Sequence, residues 1–148
     1  MSFIDWDDKY SVHIQAMDEH HQKLMTLINT LYKGVFECGD IAQERELTQA
    51  VLDELVSYAE YHFQAEEQLL SEAEYPVFEE HADAHRRFES EIEGLSQQIE
   101  SGEFALSFAV FEFLRNWLTD HILVNDMQYS SWLRERESYR QGQAAIVE

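Results

Sequence analysis

Two pairs of metal-binding side chains stand four residues apart on either side of the single proline of this chain. On an α-helix that spacing places His62 and Glu66, and likewise His81 and His85, one turn apart on one face. Pro76 lacks the N–H that a helix interior needs but is accepted in a first turn, so one helix should end before it and another begin after it. The sequence therefore predicts a helical hairpin whose facing sides hold a buried metal centre.

Apolar residues recur at helical spacing in four stretches, which predicts helices over residues 18–37, 41–71, 77–100 and 104–135. Asp18 is the predicted N-cap of the first helix. The apolar side chains predicted to face the interior are Leu24, Leu27, Ile28, Leu31, Val35, Leu47, Val51, Leu55, Tyr58, Leu69, Phe88, Ile92, Leu95, Ile99, Val110, Phe113, Trp117 and Val124.

The connections between these helices are short, and the chain has one proline and five glycines. This pattern predicts an all-α fold, an up-down-up-down antiparallel four-helix bundle. We expect a single domain over residues 1–148, with an N-terminal arm over 1–17, the bundle over 18–135 and a frayed tail over 136–148. The side chains predicted to pin the arm over one end of the bundle are Trp6, Tyr10, Val12 and Ile14.

Acidic residues outnumber basic ones by thirty to ten, which gives a formal net charge of −20. Such a surface repels phosphate, so we expect neither nucleic acid nor an anionic membrane as a partner, and we expect a monomer. The opening segment MSFIDWDDKY is not a basic, apolar leader, and no apolar run approaches a membrane span, so a cytoplasmic location is expected. Cys38 is the only cysteine and is assigned to packing.

Polar side chains inside the apolar stripes are a second argument for a metal. A lone buried histidine is more often an ordinary core residue than a ligand. Glu66 is harder to explain in this way, because an ionised carboxylate in an apolar stripe is costly unless it is paired or bound to a metal. With His62, His81 and His85 at inward positions as well, the pattern favours a metal site.

Four segments complete the pattern, namely MDEHH at 17–21, HFQAE at 62–66, HADAH at 81–85 and HILVND at 121–126. Together they resemble the hemerythrin family, specifically its single-domain bacterial members, whose pattern is a lone histidine followed by HxxxE, HxxxH and HxxxxD. The resemblance covers nearly the whole chain. It implies two iron ions, bridged by an oxo or hydroxo group, with the ligands His21, His62, Glu66, His81, His85, His121 and Asp126.

The resemblance also divides these ligands between the two irons. One iron is implied to have three histidines and the other two, and both carboxylates are implied to bridge them. The first set is His81, His85 and His121, the second is His21 and His62, and the bridges are Glu66 and Asp126.

The iron with two histidines is implied to keep an open position, where the family binds oxygen reversibly. The resemblance thus implies oxygen storage, transport or delivery and no enzymatic activity. The side chains implied to line the oxygen pocket are Leu118, Trp117, Phe63 and Tyr129. The alternatives are a di-iron oxidoreductase, disfavoured because the inward positions lack a Glu-x-x-His spacing, and a sensor of oxygen, nitric oxide or iron, for whose output domain 148 residues leave no room.

Helix register does not decide between His20 and His21 as the ligand on the first helix. At about 100° per residue both lie near the centre of the apolar stripe, and His20 lies slightly nearer. His21 is chosen on the resemblance. His13 falls outside every motif and is expected to be exposed to solvent.

The spacing of His121 and Asp126 conflicts with a regular helix. Five residues on an α-helix separate two side chains by roughly 140°, so both cannot point into one site. We therefore predict that the fourth helix is locally unwound or carries a π-bulge between them.

Overall fold

Helices make up most of the computed structural model, which describes residues 3–37, 39–101 and 107–136. A 3-10 turn at Asp8–Tyr10 is followed by α1 (Gln15–Glu37), α2 (Ile41–Glu72), α3 (Phe78–Ser101) and α4 (Ser107–Asp120). Helix α4 continues directly into a π-helical segment, His121–Asp126, and then into helix over residues 127–136. Some of the sequence predictions concern parts of the chain that lie outside the described residues. These parts are Cys38, residues 104–106, the tail beyond 136 and the side chain of Val35.

Neighbouring helices run in opposite directions. Between α2 and α3, Gln49 donates to Ser96 at 2.9 Å, whereas Glu67, further along α2, meets Arg86, nearer the start of α3, at 2.6 Å. The contacts Tyr32–Phe111 and His21–Asp126 show that α1 and the fourth helix also run in opposite directions. The contacts Phe88–Phe113 and His85–His121 show the same for α3 and the fourth helix. The predicted antiparallel four-helix bundle is therefore confirmed.

The N-terminal arm is tied to α1 by a side-chain amide. Asn29 accepts the backbone N–H groups of Phe3 and Ile4, each at 2.9 Å, and donates to the Ile4 carbonyl at 2.8 Å. Of the predicted apolar contacts of the arm, two are buried and two are half-buried: Tyr10 and Val12, and Trp6 and Ile14, respectively.

Asp18 does not cap α1, because the helix begins three residues earlier, at Gln15. The predicted capping role is wrong. The carboxylate instead accepts the Val12 backbone N–H at 2.8 Å and the Ser11 hydroxyl at 2.6 Å. Asp18 therefore holds the end of the arm against the first turn of α1.

Helix α2 ends in a Schellman motif just before Pro76. Glu74 has a φ of 57°, and the Tyr75 N–H donates to the Leu70 carbonyl at 3.0 Å. Tyr75 and Leu70 also share an apolar cluster, the contact that usually accompanies this motif. The predicted break at Pro76 is confirmed, and α3 begins at Phe78.

The predicted irregularity between His121 and Asp126 is also confirmed. The Met127 N–H donates to the Ile122 carbonyl, five residues back, as in a π-helix. The wider turn carries Asp126 to the inner face. Val124 was predicted to face inward, and this is wrong, because the same turn leaves it 64% exposed.

Two apolar clusters lie on either side of a band of buried polar side chains. Along α2, Ala59 and Phe63 belong to the main cluster, Glu66 to the polar band and Leu70 to the second cluster. Several side chains predicted to be interior are only half-buried at the edge of these clusters: Leu47, Tyr58, Leu69, Leu95, Phe113 and Trp117. Across the described ranges, no helix has the length and apolar character needed to cross a membrane.

Candidate metal centre

Seven buried ionisable side chains meet in the polar band, and every helix of the bundle contributes at least one. They are His21 from α1, His62 and Glu66 from α2, His81 and His85 from α3, and His121 and Asp126 from the π segment after α4. None is more than 4% exposed. Two groups have donor atoms within 4.8 Å of one another: Glu66 with His81, His85 and His121, and His21 with His62, Glu66 and Asp126. The structure therefore brings together all seven residues that the sequence singled out.

Glu66 turns one carboxylate oxygen toward each group of histidines. Its Oε1 lies 2.5 Å from Nε2 of His81 and 3.1 Å from Nε2 of His85. Its Oε2 lies 3.3 Å from Nε2 of His62 and accepts the Tyr129 hydroxyl at 3.0 Å. The carboxylate therefore spans the two groups.

Asp126 spans them in the same way. Its Oδ1 lies 3.0 Å from Nε2 of His121, and its Oδ2 lies 3.0 Å from Nε2 of His21. The cluster is thus divided into a three-histidine group and a two-histidine group, which share both carboxylates.

The spacing of these atoms fits metal ligands better than it fits hydrogen bonds. Nε2 atoms face each other at 3.2 Å in the His21–His62 pair and again in the His85–His121 pair. Ligands that bind one metal side by side at about 2.1 Å lie about 3 Å apart. Within the described residues, neither buried oxygen of Asp126 receives a well-directed hydrogen bond, although Nε2 of His121 and Nε2 of His21 lie 3.0 Å away. A cation between the groups would satisfy all of these atoms.

The structure separates His20 from His21. His21 is fully buried, and its Nε2 belongs to the cluster. His20 is half-buried, and its Nδ1 lies 2.9 Å from the outward-facing Nδ1 of His62. Burial lowers the pKa of His20, as do the neighbouring rings of His62 and His21. His13 is exposed, as predicted.

Two further residues that sequence reasoning missed contact histidines of the cluster from outside. Glu67 Oε2 lies 3.0 Å from Nδ1 of His85, and its other oxygen accepts from Arg86 at 2.6 Å. The side-chain amide of Asn125 lies 3.2 Å from Nδ1 of His121. Glu67 directly follows Glu66 in the sequence, so its side chain is rotated about 100° away from that of Glu66 around the helix. An acidic residue directly after Glu66 was therefore the signal in the sequence. Its offset position allows it to reach the outer nitrogen of a histidine on the next helix.

The carboxylates and histidines shift one another's pKa values. Burial acts to raise the pKa of Glu66, but the attraction of His62 and the hydrogen bond to His121 hold it well below its usual value. Burial and the Glu66 charge also oppose ionisation of Asp126, yet His121 holds the Asp126 pKa below its usual value. Burial lowers the pKa of His62. At His121 the effect of burial is outweighed by Asp126 and Glu66, which raise its pKa to about 10.

Two aromatic rings stack on histidines of the three-histidine group. Phe63 stacks on His85 with ring centroids 3.9 Å apart, and Trp117 stacks on His121 at 4.6 Å. Two of the residues predicted to line the oxygen pocket, Phe63 and Trp117, therefore contact the three-histidine group. Tyr129, the third, donates a hydrogen bond to Glu66.

Leu118, the fourth predicted pocket residue, lies at a small apolar cavity of about 10 Å³. Leu24 and Ala59 in its wall stand one turn from His21 and His62, and Phe88 and Leu118 stand one turn from His85 and His121. The cavity therefore lies at the end of the centre that faces the main apolar cluster. Its lining is Leu24, Ile28, Leu55, Ala59, Phe88, Leu114, Trp117 and Leu118.

A polar crevice of about 190 Å³ reaches the other side of the centre. It is lined by Val77, Glu80, His81, Asn125 and Gln128. His81 forms part of its wall and is 4% exposed, more than any other member of the cluster. Solvent therefore comes nearest to the centre at the three-histidine end.

The sequence matches the family described as hemerythrin HHE cation binding domain over residues 12–133. It is 27% identical over 134 residues to a bacteriohemerythrin of Stenotrophomonas maltophilia, covering 90% of this chain and 84% of that protein. It is 25% identical over 128 residues to a myohemerythrin of Sipunculus nudus, covering 86% of this chain and 92% of that protein.

The fold is similar to that of solved structures. A crystal structure of wild-type hemerythrin superposes with a TM-score of 0.79 at 23% sequence identity, covering 88% of this chain and 97% of that one.

Proposed function

The chain belongs to the hemerythrin family, and on that premise we propose that it binds molecular oxygen reversibly at a pair of non-haem iron ions. Oxygen binding is the function to which the family and the buried cluster both lead. The observation that carries the proposal for two metals is the division of each carboxylate's oxygens between the two histidine groups. A single metal would need only one of these groups.

The proposed ligands of one iron are three histidines and those of the other are two, with both carboxylates as bridges: His81, His85 and His121; His21 and His62; and Glu66 and Asp126. Imidazole suits iron, and the buried carboxylates offset part of the charge of two cations. When bound, two ferrous ions supply the pair of electrons that oxygen takes up and returns.

Tyr129 fixes the orientation of one proposed bridge. Its hydroxyl donates to Oε2 of Glu66 at 3.0 Å, and the ring is fully buried. Burial and the nearby carboxylates Glu66 and Asp126 raise its pKa well above the usual value, so it stays a protonated donor. Glu66 therefore keeps one oxygen turned toward each histidine group.

The apolar side chains around the cavity at Leu118 are proposed to keep water away from the centre. Leu118 is 3% exposed and faces the cavity together with Leu24 and Leu114. Such a lining offers water no hydrogen-bond partner, whereas a small apolar molecule has no hydrogen bonds to lose on entering it. We propose that this wall slows irreversible oxidation of the centre.

We propose a carrier or store, working as a monomer, as opposed to a di-iron oxidoreductase. The ferritin-like enzymes use a Glu-x-x-His spacing in a carboxylate-rich set. Here the proposed set has five histidines and two carboxylates, and its spacings are His-x-x-x-Glu and His-x-x-x-His.

The test is anaerobic reduction of the iron-loaded protein followed by admission of air, with an iron assay and visible absorption spectra. We expect two irons per chain and a coloured form that appears with oxygen and fades when oxygen is pumped away. Protein that retains no iron would refute the proposal, and steady consumption of reductant in air would favour the oxidoreductase.

A further inference from the structure

His20 lies outside the ligand cluster but touches one of its members directly. Its Nδ1 is 2.9 Å from Nδ1 of His62, and the two rings meet nearly at right angles, at 87°, with centroids 5.1 Å apart. The inner nitrogen of His62 faces the cluster, 3.2 Å from Nε2 of His21. The His62 ring is therefore held from both sides.

The contact fixes where the protons of both rings lie once a metal is bound. A metal on Nε2 of His62 leaves the single N–H of that neutral imidazole on Nδ1. Among the described residues, the only acceptor recorded at that N–H is Nδ1 of His20. His20 must then carry its own proton on Nε2, because two N–H groups facing each other would repel.

The ring of His20 is held in place by aromatic neighbours. Tyr58 meets it edge-on with centroids 5.9 Å apart, and Tyr61 lies 5.3 Å away at 55°. Tyr61 is 59% exposed, so this small cluster connects His62 to the surface. The acceptor nitrogen is thus presented by a ring with little freedom to turn.

We propose that His20 is a positioning residue for His62, which orients the ligand ring and strengthens its bond to the metal of the two-histidine group. The inference rests on the proposed function, since that is the metal expected to take oxygen. Outer partners of ligand histidines fix the tautomer and raise the basicity of the ligand, and removing one costs about 10–100-fold in metal affinity. A neutral imidazole in this role differs from the carboxylate of Glu67 behind His85, so the two metals receive unequal support.

Three variants separate hydrogen bonding from packing. His20→Asn keeps an acceptor oxygen near the position of Nδ1 but removes the ring. His20→Phe keeps a ring against Tyr58 and Tyr61 but removes the acceptor. His13→Asn makes the same chemical change at an exposed histidine that is not part of the cluster, and serves as the control.

The first measurement is the rate at which a chelator removes iron, together with the reduction midpoint potential. We expect His20→Phe to release iron about 10–100-fold faster than the unchanged protein, with a shifted potential, and His20→Asn to stay within a few-fold of it. If only the aromatic ring of His20 stabilised the bound iron, His20→Asn would release iron faster than His20→Phe. That reversal, or release at the rate of the His13→Asn control from both His20 variants, would overturn the inference.

The second measurement does not depend on iron or oxygen. In zinc-loaded protein with nitrogen-15 in its histidines, we expect one scalar coupling across an N–H···N hydrogen bond between imidazoles, which His20→Asn and His20→Phe both abolish. Its absence from the unchanged protein would overturn the inference about His20. Failure of the iron-loaded protein to bind oxygen, with the coupling present, would overturn the proposed function alone.

Discussion

The histidines of the cluster differ in which group contacts the ring nitrogen that faces away from the centre. His85 is held by the carboxylate of Glu67, which is itself bonded to Arg86. His62 is held by another imidazole and His121 by a side-chain amide. A charged acceptor makes an imidazole more basic than a neutral one does. Within the described parts of the chain, a carboxylate is therefore recorded behind a ring of the three-histidine group and behind neither ring of the two-histidine group.

At the same scale, Leu118 is the side chain expected to protect the centre from water. Leu118→Ala would enlarge the apolar cavity and allow water to approach, so the oxygenated protein should oxidise irreversibly several-fold faster. The substitution should also cost about 2–5 kcal/mol of stability. The measurement is the decay of the oxygenated spectrum in air.

The matched control is Leu52→Ala, which removes the same atoms from a fully buried core position. It should lose similar stability while the decay rate stays unchanged. Equal decay rates in both variants would show that Leu118 has no special protective role.

His121 gives the metal-free protein a distinctive dependence on pH. Its pKa is about 10 in the folded state against 6.5 for an unperturbed histidine. Its contribution to stability is therefore fully present below pH 6.5 and is lost as the pH rises through about 10. We expect the free energy of unfolding of the metal-free protein to fall by on the order of 1 kcal/mol per pH unit across this window.

Urea denaturation at several pH values measures this effect. A metal on Nε2 of His121 displaces the proton, so the metal-loaded protein should lack the slope, as should metal-free His121→Gln. A metal-free protein whose stability stays level from neutral to alkaline pH would contradict the assignment of the proton to His121.

At the scale of the element, the π segment turns toward the centre two side chains that a regular α-helix would point apart. Asp126 follows His121 by five residues, and the five-residue hydrogen bond of the π turn brings both to the inner face. The extra residue appears on the outside, where Leu123 is 42% exposed and Val124 is 64% exposed.

Deletion of Val124 should therefore be tolerated. The shortened segment can form a regular α-helix in which His121 and Asp126 are four residues apart, again on one face. We expect the deletion variant to bind the same amount of metal and to unfold at an equal or higher temperature. Metal content and thermal unfolding followed by circular dichroism are the measurements.

Deletion of the exposed Glu112 from α4 is the control. It should rotate everything after it by about 100° and remove His121 from the centre, with loss of metal. Loss of metal from the Val124 variant as well would show that the ligands require the π geometry itself.

At the level of the elements, the sequence predicts the regular helices better than the irregular segments. Helical spacing placed Glu66 and three histidines correctly, because a four-residue repeat allows one arrangement on a helix. It could not separate His20 from His21, since neighbouring residues near the middle of a stripe are both plausible. The misplacement of Val124 has a different cause, because regular phasing stops at a π turn. Asp18 was misread because its partners belong to the arm, and an irregular segment has no periodicity to predict them.

At the scale of the whole molecule, the centre ties all the helices of the bundle together. The proposed ligands come from α1, α2, α3 and the segment after α4, and none comes from the connections between helices. Metal binding and correct helix packing should therefore stabilise each other. The net charge of −20 works against compactness, and bound cations reduce it.

Metal loading should raise the unfolding temperature. A ligand present at a hundredfold above its dissociation constant adds about 2.7 kcal/mol, which corresponds to roughly 5–10 °C for a domain of this size. Calorimetry of metal-loaded and chelator-treated protein measures the difference. Identical unfolding temperatures would show that the side chains are held by the bundle without any help from a metal.

The two ends of the centre differ in the polarity of the surface that an incoming ion or molecule would meet. The crevice at His81 presents amide and carboxylate groups from Asn125, Gln128 and Glu80, which can replace the hydration shell of an incoming ion one water at a time. The cavity at Leu118 presents hydrocarbon and aromatic surface, where an apolar gas would lose none of the hydrogen bonds that a water molecule loses. We therefore expect iron to approach the centre past His81 and oxygen to approach it past Leu118. A bulkier side chain in the crevice should slow the binding of iron alone, and a bulkier side chain at the cavity should slow the binding of oxygen alone.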